Sequence, residues 1–326
     1  MTGPGGWREK RKSRAELEVL WTAVGRLLES ALRLLPESPR RGDEGGSLEE
    51  CRVYLDQNEM ELALDELRML GDANDAPAAY WETLAEAARL MELDARVPSS
   101  RRLVILGATG AVGRHVLAEA LRSPAFAAVT TLGRRKADVA DGEAPPGKLA
   151  QHVVDLEAPA SYRALVAGHT AAICTLGVGQ PSKSTREEVW KVEIDYVMAF
   201  AAACRDAGVR HFSLMTSVGS DARSTSYYLR LKGTQEDRVK ALGFERTSLF
   251  RPSLLITQEN RYGAGQGMFL AVWPKLHWLL AGPLRRYRGI RVEDLGRAIT
   301  MNAARHAPAG VEVYEWDDFQ RILEKS

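Results

Sequence analysis

Six short apolar runs recur through the last two thirds of the chain, and this repetition constrains the fold most. LVIL (103–106), AAVTTL (127–132), QHVV (151–154), AAICTL (171–176), HFSLMT (211–216) and RTSLF (246–250) are each only a few residues long. That length suits strands, whereas helices need ten residues or more. Between several of them lie stretches of helical period: AVGRHVLAEALR, SYRALVAG, TREEVWKVEIDYVMAFAAACRDAG and SYYLRLKGTQEDRVKALG. Strands alternating with helices make a parallel sheet covered on both faces, joined by right-handed crossovers. Residues 103–326 are therefore expected to form one doubly wound α/β domain. IRVEDLGRAITMNAA reads as a late helix and GVEVYEW as a late strand.

The first third follows another pattern. Leu17, Leu20, Trp21, Val24, Leu27, Leu28, Ala31 and Leu35 form one apolar stripe at helical spacing, ended by Pro36. PESPRRGDEGGS (36–47) is a linker by composition, so residues 1–46 read as a helix and linker. Ser47 and Glu50 then form a capping-box pattern, and SLEECRVYLDQNEMELALDELRML reads as helix, broken near Asn58. Another helix opens at Pro77, so residues 47–94 are expected to be a small helical domain, followed by a linker over 95–102. The stretch VYLDQNEMELALDELRML resembles small bacterial immunity proteins of the MafI type, which implies a protein partner for residues 1–94.

Bulk properties narrow the function classes. A formal net charge of +1 provides no global attraction for nucleic acid. No run of about 18 uncharged apolar residues exists, which argues against a membrane span. The basic N-terminus soon carries Glu16 and Glu18, unlike a secretory signal. Cys51, Cys174 and Cys204 are scattered and odd in number, so neither a disulfide framework nor a CxxC metal site is indicated. A cytoplasmic protein is the expectation.

In a doubly wound sheet, ligands sit beyond the carboxyl ends of the strands. The first strand runs into LVILGATGAVGRHV, where Gly107, Gly110 and Gly113 enclose Thr109, Ala111 and Val112. Glycines in a strand–turn–helix setting let backbone N–H groups approach a pyrophosphate, as in Rossmann dinucleotide sites. The second strand ends in LGRRK. An acidic residue here would bind the ribose 2′-hydroxyl of NAD, but Arg134, Arg135 and Lys136 stand in its place. Guanidinium forks suit a 2′-phosphate, so NADP(H) is favoured. Asp155, followed by Leu156, ends the third strand and is either an acceptor for an adenine amino group or an ordinary strand-end aspartate. Thr175, Leu176 and Gly177 end the fourth and are expected to line the cofactor, Gly177 alternatively serving only the turn; Pro252 and Ser253 end the sixth, Pro252 as a further expected cofactor contact.

The fifth strand ends at Ser217, and Tyr228 and Lys232 follow. Their i, i+4 spacing puts both on one helix face. Among nine tyrosines, Tyr228 alone has lysine four residues on. A nearby ammonium favours the phenolate, and a serine hydroxyl can hold a carbonyl oxygen beside the phenol. Such a trio suits proton exchange at a substrate oxygen during hydride transfer. The alternative is a surface pair.

Together LVILGATGAVG, LGRRK, VVDLE, TLGVG, IDYV, HFSLMTSVGSD, YLRLKG and LFRPSLL resemble the atypical short-chain dehydrogenase/reductases, in particular the Tat-interacting (CC3-like) oxidoreductase group. The resemblance implies an acid/base role for Tyr228, an electrostatic and ribose-binding role for Lys232 and a carbonyl-holding role for Ser217. It also implies that Arg134 and Arg135 contact the 2′-phosphate of NADP. One departure stands out: many short-chain dehydrogenases add a helix asparagine to the catalytic group, and KVEIDYVMAF offers Glu193 and Asp195 instead. Some members of the group are NADPH-responsive regulators without a clear substrate, which leaves a sensing module beside an oxidoreductase. Sugar-nucleotide epimerases use the same trio but normally hold NAD, which LGRRK disfavours. Residues 257–290, with Trp273, His277 and Trp278, are expected to cover the small-molecule substrate or to form a packed helix or homodimer face.

Overall fold

The computed structural model describes residues 14–41, 46–74, 76–93, 97, 101–140, 142–179, 184–257, 280–305, 307 and 309–324. The chain divides into two units, residues 1–100 and 101–326.

The first unit is helical: α1 (Arg14–Leu32), α2 (Leu48–Asp56), α3 (Met60–Ala73) and α4 (Ala78–Leu90). The stripe on α1 faces inward. Val24, Leu28 and Ala31 are fully buried with Leu64 and Leu67 of α3 and Leu84 of α4, while Val19, off the stripe, is 71% exposed. The first helix thus shares a core with the next three. Asn58 breaks α2 from α3 with a φ of +62°, a conformation asparagine tolerates. The Ser47 hydroxyl accepts the Glu50 amide, but the reciprocal bond to the Ser47 amide comes from Glu66 on α3, 2.6 Å away, not from Glu50.

The second unit carries β1 (Arg102–Leu106), α5 (Gly113–Arg122), β2 (Ala128–Gly133), β3 (Leu149–Val153) and β4 (Ala171–Cys174). It continues with α6 (Arg186–Trp190), α7 (Val197–Asp206), β5 (His211–Met215), α8 (Tyr227–Ala241), β6 (Arg246–Phe250) and a two-residue pair, β7 (Leu255–Ile256) with β8 (Ile290–Arg291). It ends with α9 (Val292–Ala304), β9 (Gly310–Tyr314) and α10 (Trp316–Leu323). The main sheet has seven strands in the order β3-β2-β1-β4-β5-β6-β9, every neighbouring pair parallel. Alternation along β1 feeds two cores. Leu103 and Ile105 pack with α5, α9 and α10; Val104 and Leu106 pack with α7 and α8. This is the Rossmann-type doubly wound sheet, and its order reverses between β1 and β4.

Two helical expectations change. SYRALVAG forms two short 3-10 turns, Pro159–Ser161 and Arg163–Val166, which bury Tyr162 and Val166 without a full helix. The long helix after β4 is interrupted: α6 opens on a Thr185–Glu188 capping box, passes through a π-helical segment, Lys191–Tyr196, and resumes as α7. Trp273, His277 and Trp278, in the expected substrate-covering stretch, lie outside the described residues.

Candidate active site

The glycine turn sits at the sheet's reversal point. Gly107 leaves β1 with φ +96°, and a side chain there would stand 2.7 Å from the Leu176 amide nitrogen. At Gly113, the first residue of α5, a Cβ would come within 2.0 Å of the Gly107 carbonyl oxygen. Only glycine permits that approach. The Thr175 hydroxyl, buried at the end of β4, donates to that carbonyl at 3.2 Å. Thr175 therefore braces the turn, while Leu176 lines the space beyond it.

That space is a cavity of about 400 Å³ at the carboxyl ends of β1 and β2. Gly107, Ala108 and Thr109 form one wall, Thr131 to Arg135 the other, and Ala137, Leu156 and Leu176 close it. Arg134, Arg135 and Lys136 are exposed. Among the described residues no carboxylate pairs with Arg134 or Arg135. A glycine turn at the N-terminus of a ten-residue helix fits the pyrophosphate of a dinucleotide, and two unpaired guanidiniums stand on the opposite wall. Asp155 is exposed outside this lining, and its carboxylate accepts the Glu157 amide at 2.9 Å, closing a turn.

Ser217, Tyr228 and Lys232 lie beyond the lining of this cavity. Ser217 follows β5, half-buried, its hydroxyl 3.4 Å from the Val218 carbonyl. Pro252 follows β6 and accepts the Val218 amide at 2.9 Å, fixing the Ser217 loop from the next strand. Behind them, the buried Glu236 carboxylate accepts Thr216 Oγ1 at 2.7 Å and Arg251 Nε at 2.8 Å. Tyr228, in the first turn of α8, is 38% exposed, and among the described residues its hydroxyl has no hydrogen-bond partner. The loop of Asp221 and Ala222 lies so close to α8 that a Cβ on Gly233 would stand 2.1 Å from the Ala222 nitrogen. That contact sets the helix against the Ser217 loop.

Lys232 is buried, its Nζ 2.6 Å from Glu193 Oε2 and 3.4 Å from Gln235 Oε1. Burial pulls its ammonium down, but the Glu193 carboxylate, with the Tyr228 phenolate wherever that group ionises, outweighs this and holds it above the usual lysine value. Glu193 Oε1 accepts the Val178 amide at 2.8 Å, and a Cβ on Gly177 would stand 3.1 Å from the same oxygen. Gly177 thus gives the carboxylate room. The sequence marked Glu193 only as the residue found where asparagine was expected. The π-helical segment that turns it inward has no signature in the sequence, so its ion pair with Lys232 was not foreseen.

The fold and the glycine turn define an NAD(P)H-binding domain of the oxidoreductase type. A model of the NAD(P)H-binding family matches residues 107–267. The chain is 36% identical over 166 residues to protein HTATIP2 of Rattus norvegicus, covering 50% of this chain and 67% of that protein. It is 35% identical over 173 residues to the mitochondrial protein fmp52 of Emericella nidulans, covering 52% of this chain and 74% of that one. The chain therefore belongs to the atypical short-chain dehydrogenase/reductase family that includes these two proteins. Among solved structures, MoeE5 in complex with UDP-glucuronic acid and NAD superposes with a TM-score of 0.50 at 18% identity, covering 65% of this chain and 75% of that one. At that identity the likeness is one of fold. Among the described residues, no helix is long and apolar enough to cross a membrane, and no cluster suits a metal ion.

Proposed function

We propose that the chain is an NADP(H)-dependent oxidoreductase that exchanges a hydride with a carbonyl or alcohol substrate. The observation that carries this reading is the cavity between the Gly107–Gly113 turn and the unpaired Arg134 and Arg135. The turn's amides would hold the pyrophosphate, and the two guanidiniums the 2′-phosphate, by charge-assisted hydrogen bonds. The bound cofactor supplies or accepts the hydride. Ser217 would hold the substrate oxygen, Tyr228 would give it a proton or take one from it, and Lys232 would fix the field around the phenol.

Calorimetric titration with NADPH and NADH tests the cofactor, and turnover on a carbonyl panel tests the chemistry. NADPH is expected to bind the more tightly; equal affinities would remove Arg134 and Arg135 from the site. A second reading, an NADPH sensor, draws on the separate core of residues 1–100, which would hold a protein partner. NADPH binding without turnover, and a partner lost when residues 1–100 are removed, would favour it. The cytoplasmic assignment belongs to the proposal as well, since fmp52 is named a mitochondrial protein. Cell fractionation decides between the two locations.

A further inference from the structure

A buried ion pair lies one turn along α8 from the proposed proton donor. The Lys232 and Glu193 side chains are 4% and 2% exposed and meet at 2.6 Å. Two further contacts fix Glu193, the Val178 amide on Oε1 and Gln235 Nε2 on its backbone carbonyl, and the π-helical segment carries it. The titratable and charged groups facing Lys232 come from each element packed around it: Glu193 from the π-helical segment, Tyr228 from its own helix and Cys174 from the end of β4. Burial pushes the Cys174 thiol up to about 12, so it is neutral near pH 7. Among the described residues, Glu193 is therefore the counter-charge to Lys232.

A lone buried ammonium would draw the neighbouring phenol toward phenolate. An ammonium closed on a carboxylate at 2.6 Å presents a nearly neutral pair, whose field falls off much faster with distance. We propose that Glu193 is a positioning residue whose carboxylate pins the Lys232 ammonium and offsets its charge, so that Lys232 draws on the Tyr228 proton less strongly than a lone ammonium would. In carbonyl reduction the Tyr228 O–H bond breaks, its proton goes to the substrate oxygen, and the hydride from NADPH reduces the carbonyl carbon as the cofactor is oxidised. The inference rests on reading Tyr228 as the proton donor.

The test is NMR of the full chain labelled at tyrosine Cζ, titrated from about pH 7 to pH 11, with the Tyr228 resonance assigned through Tyr228→Phe. In Glu193→Gln the Tyr228 midpoint is expected to fall by about one unit. In Glu193→Asp, which keeps the charge, it stays near the wild-type value. An unchanged or raised midpoint in folded Glu193→Gln overturns the proposal. Should that variant fail to fold, a second comparison decides. Replacing both charges, Glu193→Met with Lys232→Met, is expected to leave the midpoint near wild type, because a neutral pair has been replaced by neutral groups. Lys232→Met alone, which leaves the carboxylate facing the phenol, raises it by about one unit. Equal midpoints in those two variants would also overturn the proposal. None of these readouts needs turnover. A responsive Tyr228 in a protein that reduces no carbonyl would keep the pairing and discard the oxidoreductase reading.

Discussion

Arg134 and Arg135 follow β2 as exposed cations on the rim of the cavity. Replacing both with alanine is expected to weaken NADPH about 10- to 100-fold, the loss of one or two charge-assisted bonds, and to leave NADH unchanged. Calorimetry on the double variant reads this directly. Tyr228→Phe keeps the ring and removes only the hydroxyl. Turnover is expected to fall at least about 100-fold with NADPH affinity intact. Activity that survives would take Tyr228 out of the chemistry. The position of Ser217 and the glycines after strand ends, and of Tyr228 and Lys232 on one helix, was legible in the chain from strand pattern and i, i+4 spacing; their roles belong to the proposal. Thr175 and Pro252 were read only as cofactor neighbours. Their bonds to the Gly107 carbonyl and the Val218 amide run between strands far apart in sequence, which linear spacing does not reveal.

Gly113 opens α5 where a Cβ would meet the Gly107 carbonyl at 2.0 Å; at Gly110 the nearest atom would be 3.2 Å away. Gly113→Ala is therefore expected to destabilise the protein by about 2–3 kcal/mol and to abolish NADPH binding, because the turn must open to admit the methyl group. Gly110→Ala needs only a few tenths of an ångström and is expected to cost about 1 kcal/mol or less. Denaturant melts of the two variants give the comparison. Strands and most helices followed from the alternation of apolar runs. SYRALVAG did not, because one apolar face of two turns is the same pattern whether the backbone closes as α or as 3-10. The π-helical segment escaped for a related reason: the extra residue per turn leaves no mark on a periodicity read over six residues. It nevertheless decides where Glu193 points.

Two histidines tie the acid stability of the second unit to its packing. His169 precedes β4 and bonds Thr130 Oγ1 at 2.8 Å. His211 opens β5 and bonds Ser248 Oγ at 2.9 Å. Burial lowers both, and for His211 the neighbouring Arg246, Arg101 and Arg305 charges add to it, placing that imidazole well below the ordinary histidine range. Each histidine is neutral in the fold and protonates more readily once unfolded. Their contribution to stability is therefore complete above about pH 6.5 and is lost as the pH falls below that toward the folded-state values. His211→Gln is expected to flatten the stability–pH slope in guanidinium melts between about pH 7 and pH 5; an unchanged slope would mean that other groups carry it. The two units have separate cores, one built from α1 to α4 and the other from both faces of the sheet. The lining of the cavity and the Ser217–Tyr228–Lys232–Glu193 group belong wholly to residues 101–326. A chain restricted to these residues is therefore expected to fold and to bind NADPH within roughly twofold of the full protein. Circular dichroism and calorimetry check both points. A fragment that folds but binds NADPH ten times more weakly would show that residues 1–100 act on the cofactor site.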